Sequence, residues 1–504
     1  MAQSLGRLSL VLLLTVGVWC GSGCQTARRM TIRPIPPHSH QGTVDRGDPP
    51  SDTARVQPVG HTEVEARPEV EATIPLTPTP EGDSVPVTPG SHPNPEPLPD
   101  DLFAALDALD ASTLARLVEQ RNSSLQAMYA SWQAAAARYP QDIALDDPML
   151  DVMMAPASFA GNSNVQSSWA LEGSQKLPWK GKREARGNMA SQNAYAAARD
   201  VDDTRLQLTL ASRLAFADYV LAQRSRELNN TEIQLLTELR AVALTRYETN
   251  QTPQQDVLQA EVDLSEARRR GVEATRAQRV AVARINTLLQ RPPRAPLPPP
   301  SENDSTAESL PDDDDLMARA LLQRPDLSAR AARIAAEQAA YCLALREFYP
   351  DVEIYGRYDR MWIDREQQGS IGIKLNLPVQ RDRRRAAVEE ALAKIARQQA
   401  EYQVDVAKIQ FEVQAASARV QESRQIVELY STDILTAAEQ NVASARAGYE
   451  AGSVSFLTLV SAQRQFIDAR QRLNEALAEY QRQLAELERA VGNPLGVETP
   501  LANE

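Results

Sequence analysis

Between Val388 and Ala437 the chain returns to an apolar or small residue at alternating steps of four and three, through Leu392, Ile395, Gln399, Tyr402, Val406, Ile409, Val413, Ala416, Val420, Ser423, Val427, Tyr430 and Ile434. A repeat of about 3.5 residues held for about seven heptads predicts a helix that winds left-handed around a partner. The pattern halts at Arg446-Ala447-Gly448-Tyr449-Glu450-Ala451-Gly452-Ser453, where two glycines predict a turn. It resumes through Leu459, Gln463, Phe466, Leu473, Leu477, Tyr480, Leu484, Leu487 and Val491. Residues 382–491 therefore read as a helical hairpin. Its first arm, roughly 65 residues rising 1.5 Å each, reaches about 100 Å. Such a rod is not an enzyme core.

The hairpin has a twin. Laying 102–293 over 316–495 aligns Tyr139-Pro140 with Tyr349-Pro350, Leu177-Pro178 with Leu377-Pro378, Arg246-Tyr247-Glu248 with Gly448-Tyr449-Glu450, and Gln290-Arg291-Pro292 with Gly492-Asn493-Pro494. The offset is 210 at the first landmark, 200 at the second and 202 at the later ones, and loops are expected to absorb the differences. Each copy has the order helix, strand, loop, strand, long helix, tight turn, second helix. In the first copy the hairpin spans 184–291, with Leu214, Leu221, Leu228, Leu235 and Val242 recurring every seventh residue as its expected seam. In the second copy the helices at 316–346 and 456–491 together match the long one in length. Stacked end to end, they are expected to run antiparallel beside it.

Before each long helix the period changes from helical to two. Ile371, Ile373, Leu375 and Leu377 alternate with Gly372, Lys374 and Asn376, and Val352, Ile354 and Tyr358 alternate with Glu353, Tyr355 and Arg357. Strands are expected at 351–359 and 370–377, and in the first copy at 152–155 and 168–177. Apolar-out, polar-in strands of this length suit the wall of a transmembrane β-barrel, with Trp169, Tyr355, Tyr358 and Trp362 as candidates for its interfacial aromatics. Four strands cannot close a barrel, and open edges are not tolerated in lipid, so a membrane location requires several copies of the chain. A pair of soluble hairpins capping a coiled coil gives the same alternation.

Composition narrows the class. Aromatics are 5 % of 504 residues and the net charge is −13, so a basic nucleic-acid footprint is absent. Residues 1–23 read as a secretory leader: Arg7, an apolar run from Leu8 to Trp19, then small residues. Gly21-Ser22-Gly23-Cys24-Gln25 resembles the lipobox of bacterial lipoproteins, which implies acylation at Cys24. Residues 24–101 carry 16 of the 33 prolines and all four histidines, and read as an extended tether. The remainder divides into a first repeat at 102–300, an acidic linker at 301–315, a second repeat at 316–497 and a tail at 498–504. Neither repeat contains histidine, so imidazole catalysis and His-ligated metals are excluded there. No nucleophile–base set appears, and neither an enzyme nor a cofactor is expected.

The duplicated strand–strand–hairpin order and the segment Arg446 to Ser453, followed by Phe456-Leu457 and Ala462-Gln463, resemble the TolC-like outer-membrane factor family across about 102–495. That resemblance implies a mainly α fold with a small β part. It implies a homotrimer, in which twelve strands close an outer-membrane β-barrel continued by a periplasmic α-barrel. It also implies a passive exit duct of a tripartite efflux pump, working with a periplasmic adaptor and an inner-membrane pump. The adaptor-facing tips then comprise Arg246, Tyr247, Gly448, Tyr449, Gly452 and Ser453. At the first tip Thr249-Asn250-Gln251-Thr252-Pro253 replaces the glycine-rich turn, which departs from the pattern. Asp147-Pro148-Met149-Leu150 and Ser174 to Arg183 look like the metal-cation-efflux branch, although alternation is expected to place Met149, Met153 and Met154 partly on the lipid face. A type I secretion duct, or a periplasmic coiled-coil structural or adaptor lipoprotein, are the other readings.

Three charged features complete the sequence. Lys176, Lys180, Lys182, Arg183 and Arg186 follow the first strand pair, and Arg381, Arg383, Arg384 and Arg385 the second. Cations at a helix start oppose its dipole, so they call for lipid phosphates or for local pairing with Glu184, Glu389 and Glu390. Asp312 to Asp315 are expected in a solvated turn that caps a helix beginning near Leu316. Asp256, just past the first tip, is a candidate tunnel gate by position.

Overall fold

The computed structural model describes residues 103, 107–155, 168–301, 311–360, 362 and 365–493. The expected leader, the tether with Cys24 and the histidines, most of the acidic linker and the tail lie outside the described residues.

The element order repeats. The first copy holds α1 (Ala111–Arg121), α2 (Ser123–Ala136), α3 (Arg138–Ile143), β1 (Met149–Met154), β2 (Trp169–Leu177), α4 (Lys182–Glu248) and α5 (Gln254–Leu288). The second holds α6 (Asp313–Gln323), α7 (Pro325–Arg346), β3 (Val352–Asp359), β4 (Gly369–Leu375), α8 (Arg381–Leu429), a π turn (Tyr430–Ile434), α9 (Leu435–Glu450) and α10 (Phe456–Val491). The 67 residues of α4 reach about 100 Å. Among the described residues no helix is long and apolar enough to cross a membrane.

Short helices do stack end to end beside the long ones. α1, α2, α3 and α5 lie along one side of α4; α7 and α10 lie along its other side and also pack against α8. Where α5 meets α1, Leu109, Leu114 and Val118 are buried with Ala215, Tyr219, Ile285 and Leu289. Where α10 meets α6, Leu316 and Leu327 are buried with Ile409, Val413, Val420, Tyr480 and Leu487. Both leading helices break at equivalent places, between α1 and α2 at Asn122 and between α6 and α7 at Arg324. Pro325 opens α7 and holds Arg324 extended. The Arg324 guanidinium is buried and bonds Glu412 at 2.6 Å, Asp326 at 2.7 Å and the Ala490 carbonyl at 3.3 Å.

The seams have the predicted period but not always the predicted phase. In α4 the buried row is Ala215, Ala222, Asn229, Leu236 and Ala243, one residue beyond the leucines. Small residues permit the closest backbone approach, so they take the contact line. Leu221 and Leu228 instead line a cavity of about 570 Å³ between α4, α5 and α10, with Val280 and Ile467. Near the start of α8, Ala391 and Gln398 are buried in place of Leu392 and Gln399, because there the partner is α7. α10 carries a second seam, Ala462, Ala469, Ala476 and Ala490 on a seven-residue grid, since it is covered on two sides.

Length differences are not confined to loops. From Leu177-Pro178 to Tyr247 and from Leu377-Pro378 to Tyr449 both segments are helical almost throughout, yet the offset grows from 200 to 202. The π turn takes up one of these two extra residues, because its bonds run i→i+5 instead of i→i+4. Deleting Thr432 should therefore convert it to an α turn and leave the tip in place, lowering the melting midpoint by no more than about 4 °C. Deleting Asn230 from the unbroken α4 should rotate all that follows by about 100° and melt the tip packing. Circular-dichroism melts of the two deletions in detergent would compare them.

The four aspartates behave differently from expectation. α6 starts at Asp313, so Asp313, Asp314 and Asp315 occupy its first turn, where the dipole favours them. Asp312 makes no side-chain cap; Asp313 instead accepts from Ser417 of α8 at 2.5 Å.

Candidate functional site

The strands form one antiparallel sheet in the order β1-β2-β3-β4. Register assigns its faces. Val152 faces Leu171, Leu171 faces Tyr358, Ile354 faces Ile373, and Val352 faces both Leu177 and Leu375. One surface therefore carries Leu150, Val152, Leu171, Ile354, Ile371 and Ile373, all open to solvent in the single chain, with Ile371 89 % exposed. Gln175 is the polar interruption among its paired positions. The other surface pairs Glu172 with Arg357 and Glu353 with Lys374. Lys374 Nζ lies 2.6 Å from Glu172 and 3.6 Å from Glu353, and Arg357 lies 2.7 Å from Asp359.

Aromatic residues mark both ends of the apolar face. Trp169 packs on Tyr358 with ring centroids 5.4 Å apart, near exposed Trp362. Toward the helices, Trp179 stacks on Tyr349 at 5.4 Å and 7°, a pair the sequence reading missed. Six strand steps between Val352 and Tyr358 span about 20 Å. Tyr355 was expected with these aromatics and does not join them. It lies on the charged face over Gly372, where an added Cβ would meet its ring at 2.4 Å, with Lys374 Nζ 4.7 Å from the ring centroid. The methionines divide: Met154 pairs with Trp169 on the apolar face, while Met149 and Met153 pair with Ser174 and Ala170 on the polar one.

Polar bonds lock the sheet to the helices. Lys182, buried at the start of α4, donates to Asp351 Oδ1 at 2.9 Å and to the Tyr349 carbonyl at 3.1 Å. Burial pushes the Asp351 carboxyl up, but the bonds from Lys182 and the Trp179 N–H, with the lysine charge, outweigh it and hold it below its ordinary range. Arg346 donates back to the Gly181 carbonyl, so with Lys182 it cross-ties the two repeats, while Arg384 donates to the Glu347 carbonyl and ties α8 to the end of α7 within the second repeat.

At the far end the two tips share one turn geometry. In the second, the Ser453 N–H bonds the Gly448 carbonyl and the Gly452 N–H bonds the Tyr449 carbonyl. In the first, Gln251 bonds Arg246 and Asn250 bonds Tyr247 in the same way. This is the Schellman arrangement. Gly452 supplies the left-handed residue at φ 71°, and Asn250 does so at φ 55°. The departure in the first tip is one of residue type, because asparagine tolerates that conformation. Gly448 serves space instead: a Cβ there would lie 2.5 Å from Val454.

The tips are clasped. The Arg246 guanidinium lies 4.2 Å above the Tyr449 ring centroid and donates to the Tyr449 carbonyl at 3.2 Å. Tyr449 packs on Phe456 at 5.8 Å, in a buried cluster with Ala243, Val257, Ala260, Ala445 and Leu459. Tyr247 and Ser453 remain exposed. Asp256 sits in the first turn of α5, where burial raises its carboxyl.

A duplicated unit of two strands and a long helical hairpin, with an unclosed sheet that is apolar on one face, defines the class of protein. Residues 316–493, most of the second repeat, match the outer membrane efflux protein family. The cobalt-zinc-cadmium resistance protein CzcC of Cupriavidus metallidurans is 23 % identical over 314 residues, covering 62 % of this chain and 74 % of that one. The fold is shared with CusC, at 19 % identity and a TM-score of 0.65, over 77 % of this chain and 93 % of that one. It is likewise shared with the open-state MtrE outer membrane channel of Neisseria gonorrhoeae, at 19 % identity and a TM-score of 0.64, over 76 % and 89 %.

Proposed function

We propose that this chain is one stave of an outer-membrane exit duct in a tripartite efflux pump. The observation that carries the reading is the two-faced sheet with both edges open, joined to tall helical columns. In lipid those edges must be paired, and the pairing available is between β4 of one copy and β1 of the next. Three copies would supply the twelve strands of one barrel, with the ion-paired face of Glu172, Lys374 and Arg357 inside. The flanks of the helical part suit the same closure, since Val404 and Phe411 on α8 and Val262, Val272 and Val280 on α5 are exposed apolar residues. The duct would conduct passively, with Cys24 anchored by lipid and the adaptor meeting the tips at Tyr247, Gly448, Gly452 and Ser453. Asp256 would sit at the tunnel's narrow end.

Metal cations are the cargo we favour. Support comes from the relative whose name describes cobalt, zinc and cadmium resistance, and from Met149 and Met153 on the polar face. An adaptor role fits less well, because one chain here holds two hairpins and a single small sheet.

The test is purification from the outer-membrane fraction followed by planar-bilayer recording. A heat-modifiable trimer that conducts ions is expected, with weaker cation preference in Asp256→Ala. A soluble monomer without conductance would overturn the reading.

A further inference from the structure

We propose that Lys180, Arg381, Arg383 and Arg385 form a docking belt for anionic phospholipid headgroups, beside the stacked Trp179–Tyr349 pair. The proposal rests on the outer-membrane reading and assigns the leaflet that borders the helices.

The first support is what these cations lack. Local carboxylates were one expected partner, but Glu184 lies 3.6 Å from Arg346 and Glu390 lies 2.8 Å from Lys394. Among the described residues Lys180, Arg381 and Arg383 form no ion pair or side-chain hydrogen bond. Arg385 has one contact, Asp382 at 3.6 Å, and stays largely in solvent. Their neighbours are occupied differently: Lys182 is buried against Asp351, and Arg384 donates to the Glu347 and Gln380 carbonyls.

The second support is placement. The exposed apolar row of β4 continues through Leu377 and Val379 and passes directly into Arg381. In the first repeat Leu177 and Trp179 lead into Lys180 in the same way. An apolar band, then an aromatic pair, then solvent-exposed cations is the order met on passing from acyl chains to headgroups. The cations add to the positive ends of α4 and α8, neither of which has a side-chain cap. Asp382 in the first turn of α8 and Glu184 in that of α4 offset this charge only in part, and an anion from outside the chain would complete the compensation. Guanidinium groups match a phosphodiester with two parallel bonds. A row of cations along an apolar border suits a layer of headgroups better than one free phosphate ion.

The full-length protein would be reconstituted in phosphatidylcholine vesicles doped with spin-labelled phosphatidylglycerol or spin-labelled phosphatidylcholine. The immobilised fraction of each label gives their relative association. Wild type should prefer phosphatidylglycerol, and high salt should erase the preference. Each cation replaced in Arg381→Gln, Arg383→Gln and Arg385→Gln should cost about fivefold, while the corresponding lysine substitutions, which keep the charge and lose the paired bonds, should retain most but not all of the preference. A preference that survives the triple glutamine change overturns the belt. Displacement of the label by inorganic phosphate at constant ionic strength overturns the lipid assignment in favour of an ion site. No immobilised fraction with either label means the sheet is not in the bilayer, and the outer-membrane reading itself falls.

Discussion

Ile373→Lys is expected to abolish stable assembly in the outer membrane. Ile373 lies mid-strand on the apolar face, opposite Ile354, and is exposed in the single chain. A lysine near the bilayer midplane costs about 2–4 kcal/mol per copy, and a closed ring repeats the cost in every copy. The heat-modifiable species should disappear from the outer-membrane fraction while the helical spectrum of the chain persists. Ser174→Lys, on the opposite face beside Tyr355, should assemble normally. Equal assembly of both variants would mean that the sheet does not lie in lipid. Both substitutions add the same charge to the same sheet, on opposite faces.

At the tips the decisive residue is Arg246. Arg246→Ala removes a cation–π contact and a charged hydrogen bond that tie the first hairpin to Tyr449 of the second. Together they are worth about 2 kcal/mol at this partly exposed site, so local opening should rise about thirtyfold. Hydrogen exchange of peptides covering 443–460 would register the change, and single-channel recording should show longer open periods. Arg246→Lys keeps the charge over the ring and should fall between. Unchanged exchange in the alanine variant would show that the buried cluster of Ala243, Val257, Tyr449 and Leu459 holds the tips by itself. The clasp joins residues 203 positions apart in the chain, which is why no local pattern announced it.

Several misplacements in the sequence reading share one cause. Leu214, Leu221 and Leu228 look like a seam because leucine is the usual apolar residue at heptad positions. The contact line instead passes through Ala215 and Ala222, since closeness of approach favours the smaller side chain. Tyr355 looked like a membrane aromatic by residue type, whereas strand parity assigns it to the charged face with Lys374. Asn250 looked like a loss of the glycine turn, yet it adopts the same left-handed conformation.

By itself, the sequence determined the two hairpins, their turns, the duplication and the alternation of the strands. These are local properties: helical and strand periods are set by backbone geometry, and turn residues by allowed φ. Only the tertiary structure decided which side chains lie on the seams, that α10 is covered on two sides, that β2 pairs with β3 across the repeats, and that Arg246 reaches Tyr449. Those depend on which elements become neighbours, a choice made by packing and cross-strand register between residues far apart in the chain.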